Sequence, residues 1–163
     1  MPFESAHQRG WQIFEVVVGV PYLLAAALHL VVPLSLPSIL LGPVGLVVAA
    51  GLIVAGIAVV VSARRELARQ GQPTDPGHPT QRLVTSGVFS VSRNPLYLGG
   101  ALTLAGFAWA FNLAWALLAL APALIACHFI LIAPEEKYLI ARFGDAYRAY
   151  ASTVSRWLGR ARR

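Results

Sequence analysis

Charge is what this chain most lacks. Between Glu15 and Arg64 there is no Asp, Glu, Lys or Arg over 48 residues, and a second gap of 41 residues separates Arg93 from Glu135. Only 12% of the chain is charged, against about 25% in soluble domains, and gaps of this length exclude a soluble domain of any size. Cysteine is almost missing as well. The single Cys127 excludes an intrachain disulfide and a cysteine-built metal site, so no metal is expected. Inside an apolar run it reads as a small buried thiol. The apolar run near the start is too long and begins too late for the core of a signal peptide, and none is expected. The net charge of +6 raises nucleic acid as a partner, but the arginines flank apolar stretches, which is the pattern of membrane topology. No nucleic-acid partner is expected, and nothing implies an obligate protein partner.

What is present is hydrophobic residue in long blocks, 57% of the chain. One crossing of the hydrocarbon takes about 20 apolar residues, so each uncharged gap holds two helices and a tight turn. The expectation is an all-α integral membrane bundle forming one domain over 1–163, with spans at about 13–32, 41–62, 95–111 and 113–133 and a possible kink at Pro122. Four spans put all thirteen Lys and Arg residues on one side. The positive-inside rule then makes both termini and the central loop cytoplasmic. Twelve Arg to one Lys fits a GC-rich prokaryotic genome, and hence a prokaryotic plasma membrane. The tail predicts an amphipathic helix: Leu139, Phe143, Tyr147, Tyr150, Val154 and Trp157 follow one another by three or four residues. That face suits either a helix lying in the membrane interface or a lid over a site.

Three groups of residues are candidates for chemistry. The first is the loop sequence Leu83-Val84-Thr85-Ser86-Gly87-Val88-Phe89, followed by Arg93-Asn94-Pro95-Leu96-Tyr97-Leu98-Gly99. Asn94 as N-cap and Pro95 in the first turn suit a helix start, and Arg93 suits an interface anchor, but an apolar, β-branched stretch inside a polar loop has no such explanation. The second is Glu135-Glu136 at the end of the fourth span, where acidic groups oppose the helix dipole unless the helix continues. The third is His128, seven residues before Glu135 on the same helical face and about 10 Å deeper in the membrane, where an ionisable group is a functional candidate or a hydrogen-bonded structural one. His29 reads as an interfacial ring. Gly99, Thr103 and Gly106 form a small-residue stripe suited to close helix packing.

Leu83 to Gly99, the Glu135-Glu136 pair, Leu139, Phe143-Gly144, Tyr147 and Tyr150 together resemble the isoprenylcysteine carboxyl methyltransferase and phospholipid methyltransferase superfamily. The shared pattern is L-V-T-x-G, then R-[HN]-P-x-Y-x-G, then E-E-x-x-L-x-x-x-F-G-x-x-Y-x-x-Y, and it covers about the last 90 residues in order; spans one and two match only in being hydrophobic. The resemblance implies a membrane-embedded methyltransferase dependent on S-adenosylmethionine. It implies cofactor contacts at Gln81, Arg82, Leu83, Val84, Phe89, Asn94, Pro95, Leu96, Tyr97 and Glu135, within a cofactor-binding part at about 74–157. The chemistry of those residues agrees. Val84 and Phe89 offer apolar walls for an adenine, Glu135 an anion for the α-amino group, and Arg93 or the N-terminus of the third span a positive end for the carboxylate.

Two departures bear on the acceptor. Asn94 stands where the prenylcysteine enzymes carry His, and Leu131 where they carry a substrate-binding Arg. The expected acceptor is therefore a lipid or membrane-partitioned amphiphile, with phospholipid or related amines ahead of carboxyl or thiol groups. For an amine, His128 is the expected proton acceptor. The reading from another class is a non-catalytic membrane binding or scaffold protein.

Overall fold

A computed structural model describes residues 10–72 and 80–159. The structure is all-helical, with no strand among the described residues. Its helices are α1 (Val20–Val31), α2 (Pro43–Arg69), α3 (Pro95–Ala110), α4 (Ala114–Cys127), α5 (Ala133–Phe143) and α6 (Asp145–Thr153). A π turn, Glu15–Gly19, leads into α1, and a second, His128–Ile132, joins α4 to α5.

Among the described residues two helices are long and apolar enough to cross a membrane: Pro43–Arg69 and the continuous run Ala114–Phe143. Glu15–Val31 and Pro95–Ala110 are apolar but shorter. At 1.5 Å per residue the 16 residues of α3 span about 24 Å, against about 30 Å of hydrocarbon. Four full-length spans are therefore not what helix length alone delivers. The outward surface is nonetheless lipid-like. Leu23, Leu24 and Leu30 on α1 and Val44, Val47 and Val54 on α2 are all at least 65% exposed, and so continuous an apolar surface marks a membrane protein.

The packing order differs from a simple pair of hairpins. α2 lies along α3, whereas α1 lies along α4, with the Tyr22 hydroxyl donating to the Leu104 carbonyl of α3 at 3.0 Å. The segment after α1 crosses over and is held from the far side. Trp115 Nε1 donates to the Val32 carbonyl and Trp109 Nε1 to the Leu40 carbonyl, each at 2.8 Å, and Asn112 Oδ1 accepts from the Leu36 amide at 2.7 Å. The α2–α3 seam is backbone against backbone. A Cβ on Gly56 would lie 2.6 Å from the Gly99 carbonyl oxygen, and one on Gly99 would lie 2.7 Å from that of Gly56. Gly99, Thr103 and Gly106 are thus packing residues, as their small size suggested.

Both π turns end two residues before a proline, Pro21 in one case and Pro134 in the other. A proline ring crowds the carbonyl four residues back and has no N–H to give it. Opening the turn by one residue relieves that crowding: Val20 N–H reaches Glu15 O, and Ala133 N–H reaches His128 O. The first opened turn packs on α4, and its Val17 and Val18 share one buried cluster with Leu120, Cys127 and with Leu131 and Ile132 of the second turn. Pro122, by contrast, sits inside α4 without ending it.

Candidate functional site

Helix α4 continues through the π turn into α5, so Glu135 and Glu136 lie inside one continuous helical run and not at a C-terminal end whose dipole they would oppose. The two side chains part company there. Glu135 Oε2 accepts a hydrogen bond from the Tyr97 hydroxyl of α3 at 3.2 Å, and Tyr97 in turn stacks on Phe14 with ring centroids 5.9 Å apart. Glu136 is gripped by two arginines. Arg156 reaches it in fork geometry, Nε to Oε1 at 3.0 Å and Nη2 to Oε2 at 2.6 Å, and Arg93 Nη1 lies 3.1 Å from Oε1.

Around that cluster the tail closes on the segment before α3. Gly144, at φ +54°, a left-handed conformation that favours glycine, ends α5 and turns the chain into α6. The expected single tail helix is thus two helices, and Val154 and Trp157 follow the end of α6 in extended and irregular chain. The apolar face itself is real but inward. Tyr147, Tyr150 and Val154 are buried against Leu83, Leu139, Ile140 and Phe143. The Tyr150 hydroxyl donates to the Phe89 carbonyl at 2.6 Å, and Arg93 Nη1 meets the Tyr147 hydroxyl at 3.5 Å. Burial is the largest cause pushing both phenols above the ordinary tyrosine range, so each stays neutral, Tyr150 as a donor and Tyr147 as the acceptor of the Arg93 bond. Past α6 the chain pairs back: Arg93 N–H donates to Ser155 O, and Gly159 N–H to Val91 O. The Asn94 side-chain amide adds a bond to the Arg156 carbonyl at 3.0 Å.

Of the residues singled out from sequence, Leu83, Phe89, Arg93, Asn94, Tyr97 and Glu135 are brought to this end of the bundle. Val84 and Pro95 are buried, and Leu96 is half-buried in the first turn of α3. Gln81 and Arg82 are exposed, their backbone N–H groups held by Gln72 Oε1 at 2.8 and 3.0 Å. Residues 73–79, where the cofactor-binding part was expected to begin, lie outside the described residues. Arg93 is not free for a ligand carboxylate, since Glu136 holds it.

His128 opens the second π turn, and the extra residue of such a turn offsets register by about a quarter-turn. The same-face relation with Glu135 that even spacing implied does not hold, and the ring contact of His128 is with Phe129, at 4.9 Å. Leu131 is fully buried in the core with Cys127.

Sequence reasoning missed the roles of Glu136, Arg156 and Gln72. Arg156 was visible only as one basic residue among several in the tail, and Gln72 carried no signal beyond its place just past a long helix.

The model for the phospholipid methyltransferase family matches residues 44–146, more than half of the chain. The chain belongs to the phospholipid methyltransferase family. The match begins within α2, well before the motif at Leu83, and ends one residue short of Tyr147. No curated protein and no solved structure matches this phospholipid methyltransferase family member. Its residues suit a sulfonium amino-acid cofactor. Glu135 has an oxygen with no hydrogen-bond partner among the described residues, Arg93 Nε and Ser155 Oγ are buried without partners, and Leu83, Val84 and Phe89 provide apolar surface nearby.

Proposed function

We propose that the chain transfers a methyl group from S-adenosylmethionine to a lipid or other amphiphile reaching the site from the bilayer, with phospholipid or related amines ahead of carboxyl or thiol acceptors. The observation that carries this reading is the meeting of Tyr97 and Glu135 beside the Arg93–Glu136–Arg156 cluster, under a lid formed by α6. Bound there, S-adenosylmethionine supplies an electrophilic methyl group on a sulfonium. Glu135 offers its unpartnered oxygen to an ammonium, and Leu83, Val84 and Phe89 offer apolar walls. The first-turn N–H groups of α3 take the carboxylate in place of the engaged Arg93. The task left to the chain is alignment of nucleophile, methyl and sulfur in a water-poor site.

Leu131 argues against a carboxylate acceptor, because an unpaired carboxylate in that apolar core costs several kcal/mol. For an amine acceptor, His128 is the proposed proton acceptor as the titratable side chain of the fourth span, although the opened turn carries it off the Glu135 face; His128→Ala is expected to lower turnover by roughly 10²–10⁴-fold with cofactor affinity nearly unchanged. Full turnover in that variant removes His128 from the mechanism. The decisive experiment is calorimetry of the purified protein with S-adenosylmethionine, followed by incubation with labelled cofactor and total lipid extract. One site per chain and a labelled lipid product are expected. No heat at millimolar cofactor would leave the scaffold reading standing.

The proposed topology has four spans with both termini and the central loop cytoplasmic. In a Cys127→Ala background, a cysteine at Ser35 should react with an impermeant reagent added outside, and one at Ser90 only after the membrane is opened. The reverse pattern overturns the orientation.

A further inference from the structure

A groove of about 440 Å³ runs along the loop end of α2, away from the Tyr97–Glu135 pair. Ala58, Ser62, Arg65 and Arg69 line it at spacings of four, three and four, hence as one helical stripe, with Val59 and Glu66 beside them. The stripe covers about 16 Å of helix, and its polarity is graded. Apolar Ala58 and Val59 come first, then the Ser62 hydroxyl, then Arg65, Glu66 and Arg69. That is the order met along a phospholipid from acyl chain through glycerol ester to headgroup.

The charged end is open to a ligand. Arg65 is exposed and makes no ion pair among the described residues, and Arg69 is 77% exposed, its nearest carboxylate oxygen on Glu66 a loose 3.8 Å away; a tight charge-assisted bond is about 2.7–2.9 Å. Glu66 itself is oriented by the Ser86 hydroxyl, which donates to it. Opposite stands Gly87, at φ +59°, whose absent Cβ would lie 3.1 Å from Glu66 Oε2. The groove therefore has a fixed carboxylate, two available guanidinium groups and an apolar floor.

We propose that this groove seats one zwitterionic phospholipid, its phosphate on Arg65 and Arg69, its ammonium toward Glu66, and the start of one acyl chain over Ala58 and Val59. The assignment rests on the amphiphile reading of the acceptor but not on catalysis, so the two can fail separately. The test uses the full chain in non-ionic detergent, titrated with phosphatidylethanolamine and with diacylglycerol, each carrying a fluorophore at the end of one chain. Saturable binding of the phospholipid only is expected. Arg65→Gln and Arg69→Gln should each weaken it by roughly fivefold, the ceiling for an exposed ion pair, and the double variant by more than tenfold. Val59→Trp, which fills the apolar end and leaves every charge in place, should weaken it too. Undiminished binding in the double variant overturns the proposal, and so does equal binding of diacylglycerol. Displacement of the lipid by millimolar inorganic phosphate would reduce the site to one for a free ion. Calorimetry with S-adenosylmethionine should give the same affinity in the double variant as in the wild type; a fall there would assign the groove to the cofactor instead. A wild type that binds the phospholipid but no cofactor supports the groove and defeats the methyl-transfer reading.

Discussion

Glu135 and Glu136 are neighbours in sequence and belong to different regions of the molecule. Glu135 points into the bundle, with one neutral partner, the Tyr97 hydroxyl, and an oxygen to spare. Glu136 points to the tail, where two guanidinium groups use both of its oxygens. A carboxylate with saturated lone pairs and a double cationic grip is structural. One with a single neutral partner still has bonding capacity for a ligand. Two identical side chains in the same helical turn thus differ in what they have left to bond: Glu136 is used up in tying the tail to the segment before α3, and Glu135 is not.

The largest effect expected from breaking this division is at Glu136. Removing one member of a buried ion pair costs about 3–5 kcal/mol, and the partial exposure of Arg156, 39% at its side chain, draws the value toward the lower end. Glu136→Ala should therefore raise amide exchange in α6 and in 155–159 strongly while leaving the α2–α3 seam protected. Unchanged exchange in the tail would show that the grip holds nothing. Next comes Glu135→Gln, which on the proposed reading would trade a charge-assisted bond to the cofactor's ammonium for a neutral one. The expected loss is about 1.5–3 kcal/mol in cofactor affinity by calorimetry, with tail exchange unaffected. Equal effects of the two variants on either readout would erase the distinction. The smallest is Tyr97→Phe, which frees Glu135 of its one partner; a neutral bond is worth about 0.5–1.5 kcal/mol, and the change should appear in thermal stability without loosening the tail.

The sequence made part of this arrangement legible, and the physics says which part. Uncharged gaps and the first-turn Pro95 act locally, so the helices and their starts were readable, as was the small-residue seam of Gly99, Thr103 and Gly106; Asn94 holds the expected N-cap position, but its side chain makes no cap bond and donates to the Arg156 carbonyl instead. The first and third spans, expected at about 13–32 and 95–111, are helical over Glu15–Val31 and Pro95–Ala110, so their ends were read to within two residues. The tail pattern identified a buried face correctly but not its break, since the positive φ of Gly144 interrupts the helix without interrupting the apolar spacing. Most difficult were the ion pairs. Arg93, Glu136 and Arg156 lie tens of residues apart, and nothing local distinguishes a gripped carboxylate from its free neighbour. The displacement of His128 was hidden for another reason: even spacing of 3.6 residues was assumed across a stretch that Pro134 forces open.

That opened turn has an evolutionary side. A π turn is an α-helix carrying one residue too many, so a chain that lost a single residue between His128 and Ile132 would keep Glu135 opposite Tyr97. The same loss elsewhere in α4 would swing everything upstream of it by about 100° against its neighbours. The stretch 128–132 is therefore a place where the length of the gene can change by one codon without moving the carboxylate. Pro134 sets the condition. With the turn closed, its ring would meet the carbonyl four residues back, so the deletion is tolerable only together with a replacement of Pro134, while that replacement needs no deletion.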